Sequence, residues 1–296
     1  MAPPAPELFD AAFLQRLELL RVVARRTLEG ASAGSRPGRG AGPGLEFAEH
    51  RPYLPGDDFR HVDWAAYARL ERLLLRLAQQ EEDLAVTFLL DASASMATGR
   101  PPKFDHARRL VAALAYVALA GLERVRLVAV ADRLRAHLEA GRGKHHALRV
   151  LEFLAAVAPE GTTDLAAAVR DFLPHAPRAG LAVLVSDLMD PDGYRRALLA
   201  LQERRFDLWC LHVTDPLDVA PPGDGDVTLV DAETGHEAPL HLSPDVRRRL
   251  SRQARDFADH AAAWCREHAI GYAEAPTRVP VDDLVLDVLR RGGLLR

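Results

Sequence analysis

From residue 84 onward the chain alternates between two hydrophobic periods. Residues 84–90 are almost continuously apolar, as in a strand buried on both faces. They lead into 103–122, where Phe104, Ala107, Val111, Leu114 and Ala118 recur at the spacing of one helix face. A second buried strand is predicted at 125–131 and a shorter, more polar one at 134–138. Helices at 145–157 and 165–173, a strand at 181–185, a helix at 194–204 and a strand at 206–213 follow. Residues 215–242 break the rhythm with proline, glycine and a hairpin pattern at 227–230 and 238–241. A long helix at 244–268, a strand at 270–275 and a helix at 281–290 close the chain. Strands alternating with helices predict an α/β fold: a mainly parallel, doubly wound central sheet with helices on both faces.

Before residue 84 the texture differs. Phe9, Phe13, Leu17, Leu20 and Ala24 predict an amphipathic helix over 8–28, and 30–44 reads as a Gly/Ser/Arg/Pro connector. Short lead-in strands are expected at 45–48 and 73–78, with a turn at Leu54-Pro55-Gly56-Asp57-Asp58. The expected division is 1–44 for helix and connector, 45–83 for the lead-in segment, and 84–296 for the α/β domain with a hairpin insertion near 215–242.

Composition narrows the function. Thirty-eight Lys and Arg against 42 Asp and Glu give a net charge of −4, the wrong balance for a dedicated nucleic-acid binder. Lys103 and Lys144 are the only lysines, and the arginine dominance reads as the codon bias of a GC-rich genome. Cys210 and Cys265 make neither a zinc ribbon nor a CxxC pair. The uncharged run 110–122 is shorter than the roughly 20 residues that span a bilayer. The first ten residues lack a basic region leading into an apolar one, so a reduced, cytoplasmic protein without a membrane segment is expected.

In a parallel sheet, ligands sit at the carboxyl ends of the strands. Three polar segments fall there or beside it: Asp91-Ala92-Ser93-Ala94-Ser95, Gly161-Thr162-Thr163-Asp164 and Ser186-Asp187. Each taken alone also reads as helix capping. Together they form an all-oxygen set suited to a hard cation such as Mg²⁺ or Mn²⁺. Asp91-x-Ser93-x-Ser95, Thr163 and Asp187 resemble the metal-ion-dependent adhesion site of von Willebrand factor A domains. That resemblance implies Ser93, Ser95 and Thr163 as direct ligands and Asp91 and Asp187 as water-bridged carboxylates. A partner's acidic side chain would complete the coordination. The family's Gly-Gly-Thr-Asp pattern selects Thr163 over Thr162.

A second block runs from Gly44 to Trp64 and on to Arg69. It resembles the signature of a bacterial family, domain of unknown function 58, whose members carry an adhesion-type A domain. Many relatives have transmembrane helices, and the genes commonly neighbour a MoxR-type AAA+ ATPase, which the resemblance implies as a partner. Arg51, Tyr53, Asp57, Asp58, Arg60, Asp63, Trp64 and Arg69 pair opposite charges around aromatic rings. They read either as an internal ion-pair and stacking network or as a docking surface for the ATPase. No GxxxxGK[ST] loop is present, so ATP chemistry would belong to the partner.

The expected function is thus a non-enzymatic, Mg²⁺-dependent module that binds an acidic side chain. The alternative is a Mg²⁺-dependent phosphohydrolase with Asp91 as nucleophile. That chemistry wants a second acid two residues on, where this chain has Ser93. Neither serine lies in a Gly-x-Ser-x-Gly elbow. The histidines lack zinc-motif spacing and read as surface or capping residues.

Overall fold

The computed structural model describes residue 15 and residues 50–53, 62–70, 72–76, 85–120, 123–176, 180–190, 193–219 and 223–290. Apart from helical residue 15, the expected 8–28 helix lies outside these residues. So do the 30–44 connector, the 45–48 strand, the turn at 54–58, and Asp57, Asp58 and Arg60. The chain divides into two compact units, a smaller one over 32–83 and a larger one that holds the rest, including 84–296.

In the smaller unit, β1 (His50–Pro52) pairs antiparallel with β2 (Leu74–Arg76). Between them runs a helix the hydrophobic pattern does not predict, α1 (Trp64–Leu70). Its local signal is a cap followed by alanines: the Asp63 carboxylate accepts the Ala66 N–H at 3.0 Å, ahead of Ala65, Ala66 and Ala68. The Tyr53 N–H donates to Leu73 O and the Asp63 N–H to Leu74 O, tying the helix entry to β2.

The larger unit is built on a six-stranded sheet, and every strand expected from residue 84 on is present. Its strands are β3 (Ala85–Asp91), β4 (Arg124–Val130), β5 (Leu134–Gly141), β6 (Gly180–Ser186), β7 (Phe206–Thr214) and β10 (Gly271–Pro276), in the order β10-β7-β6-β3-β4-β5. All neighbours run parallel except β5, which pairs antiparallel with β4. A separate antiparallel ribbon, β8 (Gly225–Val230) with β9 (Glu237–Leu242), fills the place of the predicted hairpin.

Every residue of β3 is buried. Phe88 and Leu90 face one core, formed with α2 (Lys103–Ala120), α3 (Gly143–Ala156) and α8 (Val281–Arg290). Leu89 faces the other, formed with α4 (Leu165–Phe172), α5 (Tyr194–Glu203) and α7 (Pro244–Glu267). A short helix, α6 (Pro216–Val219), follows β7. The result is an α/β fold with a mainly parallel sheet covered on both faces, consistent with a von Willebrand factor A-like architecture. Among the described residues no helix is long and apolar enough to cross a membrane.

The topology itself marks a site. From β3 the chain moves outward through β4 and β5, then returns to the opposite flank of β3 as β6. This reversal makes the ends of β3 and β6 a topological switch point, the place where open α/β sheets bind ligands. Asp91 ends β3 and Ser186 ends β6, so strand register sets these two residues side by side.

Candidate metal site

Three backbone contacts hold the rim together. The Ala92 N–H donates to Val130 O, the Ala94 N–H to Gly161 O at 2.9 Å, and the Glu160 N–H to Ala92 O at 2.8 Å. Gly161 has φ +79°, and a Cβ there would stand 2.3 Å from the Arg135 guanidinium. The positive φ favours glycine in the turn that brings the Thr163 loop against the Asp91 loop.

Asp91 is fully buried with both carboxylate oxygens engaged. Oδ1 accepts the Ser93 N–H at 2.9 Å and Oδ2 the Ser186 hydroxyl at 2.6 Å. Burial, reinforced by the charge of Asp187, pushes the Asp91 carboxyl up to about 7. The Ser93 and Ser95 hydroxyls stand 3.0 Å apart. Ser93 is buried and Ser95 half-buried. Thr163 is buried and Thr162 exposed. The neighbouring Asp164 is the cap of α4, accepting the Ala167 N–H at 2.8 Å.

Asp187 is buried as well. Its Oδ1 accepts the Met189 N–H at 3.1 Å and its Oδ2 the Lys103 ammonium at 2.7 Å. Lys103 also lies 3.1 Å from Asp218. Burial opposes its charge, but the two carboxylates outweigh burial and raise its pKa. Leu188, between Asp187 and Met189, is held at φ +59°, a conformation a leucine seldom adopts. Near Asp187, His212 hydrogen-bonds Tyr272 Oη at 2.8 Å.

Sequence reasoning missed four members of this cluster: Ser186 as the partner of Asp91, Lys103, Asp218 and Glu233. The Thr163 hydroxyl and its N–H, the latter at 3.0 Å, both donate to the Glu233 carboxylate from the tip of the β8–β9 ribbon. Lys103 carries one faint signal, a lysine in a chain that otherwise uses arginine almost everywhere.

The residues fit a divalent cation on two grounds. Adjacent oxygens around octahedral Mg²⁺, with ligands at about 2.0–2.1 Å, lie about 2.9 Å apart, and the Ser93 and Ser95 hydroxyls, hydrogen-bonded to each other at 3.0 Å, already stand near that spacing. Lys103 is one ammonium shared between the Asp187 and Asp218 carboxylates, with Asp91 beside Asp187, so acidic groups outnumber the base. Among the described residues no group of three His, Cys, Asp or Glu side chains could hold a metal, so a cation here would rely on hydroxyl oxygens.

Of the signature block, Asp63 is buried as the α1 cap, while Trp64 and Tyr67 are exposed and meet edge to face at 6.2 Å. Arg51 lies in β1, Tyr53 just after it, and Arg69 in the last turn of α1.

Among solved structures, the chain resembles BatB of Bacteroides thetaiotaomicron at 16% identity and TM-score 0.45, over 70% of this chain and 98% of that one. An aerotolerance-related membrane protein of Bacteroides fragilis matches at 17% identity and TM-score 0.43, over 71% and 98%. By sequence, the uncharacterized protein Rv1480 of Mycobacterium tuberculosis is 32% identical over 259 residues, 86% of this chain and 79% of that protein. The uncharacterized protein Mb1516 of Mycobacterium bovis matches to the same extent. The model described as protein of unknown function DUF58 matches residues 49–260, which take in β1 to β9, all five candidate ligands and most of α7. With so much of its length matched, the chain belongs to the DUF58 family.

Proposed function

We propose that this protein is a non-enzymatic, divalent-cation-dependent module that grips an acidic side chain of a protein partner. The observation that carries the reading is the pair of serine hydroxyls 3.0 Å apart beside two buried carboxylates. In this reading Ser93, Ser95 and Thr163 supply direct ligands. Asp91 and Asp187, whose oxygens already accept protein donors, act through water. Bound Mg²⁺ or Mn²⁺ would supply positive charge and a position open to an outside carboxylate. Neutral hydroxyls leave that charge largely uncancelled. A MoxR-type AAA+ ATPase is the proposed working partner, in protein maturation or complex assembly; this rests on the family resemblance.

The phosphohydrolase alternative is the weaker one. A nucleophile must be reachable, whereas Asp91 is fully buried and hydrogen-bonded at both oxygens. The test is a Mn²⁺ or Mg²⁺ titration of wild type and Asp91→Ala, followed by melting temperature, with p-nitrophenyl phosphate turnover measured in parallel. At about a hundredfold excess over Kd, a bound ion adds about 2.7 kcal/mol. For a protein of this size that is a rise of several degrees. The expected result is such a rise in wild type, none in Asp91→Ala, and no turnover. A wild type insensitive to both ions, or turnover that vanishes in Asp91→Ala, would overturn the reading.

A further inference from the structure

The β8–β9 ribbon is nearly all surface, and at its tip, residues 231–236, only Glu233 is not exposed. The tip is locally braced. Asp231 Oδ1 accepts the Glu233 N–H at 2.8 Å and the Thr234 N–H at 2.9 Å. The Gly235 N–H donates to Asp231 O, and the Asp231 N–H to His236 O. Gly235 has φ +70°, which closes the turn. The brace aims one carboxylate away from the ribbon, and it lands on Thr163. Oε2 accepts the Thr163 N–H at 3.0 Å and Oε1 the Thr163 hydroxyl. Among the described residues no backbone carbonyl takes up that N–H; its partner is a side chain 70 residues away.

We propose that Glu233 is a built-in acidic ligand of the candidate metal site, holding the ribbon over it as a displaceable stand-in for a partner's carboxylate. The proposal rests on the binding-module reading and adds the partner's chemistry and the regulation of the site. A tethered carboxylate acts at an effective concentration on the order of millimolar. Free carboxylates of low affinity therefore lose to it. A partner must present an acid on a braced turn, as Asp231-Ala232-Glu233-Thr234-Gly235 does, and add contacts of its own. If the ribbon is open only a tenth of the time, apparent affinity for an outside ligand falls about tenfold.

The test uses the full-length protein, wild type and Glu233→Gln, with a synthetic peptide of residues 225–242 as probe in Mn²⁺. Amide exchange at Thr163 is followed without metal. The expected results are about tenfold tighter peptide binding by Glu233→Gln and at least tenfold faster exchange at Thr163. Binding should disappear when the peptide itself carries Gln at position 233. Equal peptide affinity for the two proteins overturns the proposal whatever the exchange rates, as does absence of peptide binding to Glu233→Gln. In either case an Asp91-dependent response to Mn²⁺ leaves the binding-module reading standing. If neither protein responds to Mn²⁺, that reading falls and takes the proposal with it.

Discussion

Lys103 shows what a single side chain does at this site. Its ammonium is buried with Asp187, their side chains 3% and 1% exposed, and it reaches Asp218 as well. Removing one partner of a buried pair strands the other charge, a loss of about 3–5 kcal/mol. Lys103→Met is expected to lose about that much in urea unfolding, and Lys103→Met/Asp187→Asn to lose less than Lys103→Met alone. A double-variant loss equal to the sum of the Lys103→Met and Asp187→Asn losses would mean that the pair is not coupled. The lysine was invisible as a site residue because its partner is 84 positions away and nothing local announces it. Asp91, Ser93 and Ser95 were legible for the opposite reason: they alternate along one loop directly after a buried strand. Glu233 belongs with Lys103, since only the folded ribbon brings it to Thr163.

Among the elements, the strands and the longer helices from residue 84 on were readable because each has a clear period and length, whereas the four-residue α6 was not. The α1 helix was not, since seven residues hold too few turns for a periodic signal and its cue is the Asp63 cap. Capping also separates the neighbours Thr163 and Asp164. Either was open to a capping reading from sequence, and the cap of α4 is Asp164. Asp164→Ala is therefore expected to lower stability by about 1 kcal/mol, seen as a lower urea midpoint, while the response to Mn²⁺ survives. Loss of that response would assign Asp164 to the site as well as to the helix.

For the whole molecule, the mainly parallel sheet followed from alternating periods, while the switch point between β3 and β6 followed from strand order, which no local pattern encodes. Acid stability is likewise a property of the assembled core. Burial on α2, with help from the Arg109 charge, lowers the His106 imidazole to about 4. The folded protein keeps His106 neutral where the unfolded chain protonates it near pH 6.5. Its contribution is thus intact above pH 6.5 and is lost as pH falls toward 4, by up to roughly 3 kcal/mol. His106→Leu is expected to flatten that acid limb in urea unfolding measured from pH 7 to pH 4; an unchanged slope would refute the assignment. Asp91 and Ser186 have a consequence of another kind, because they are the last residues of two central strands buried in the sheet. Such strands open only with the molecule as a whole, whereas a surface ribbon opens alone. Gradual heating should therefore loosen the ribbon first and leave the candidate site formed until the core melts, so ribbon and site keep separate clocks.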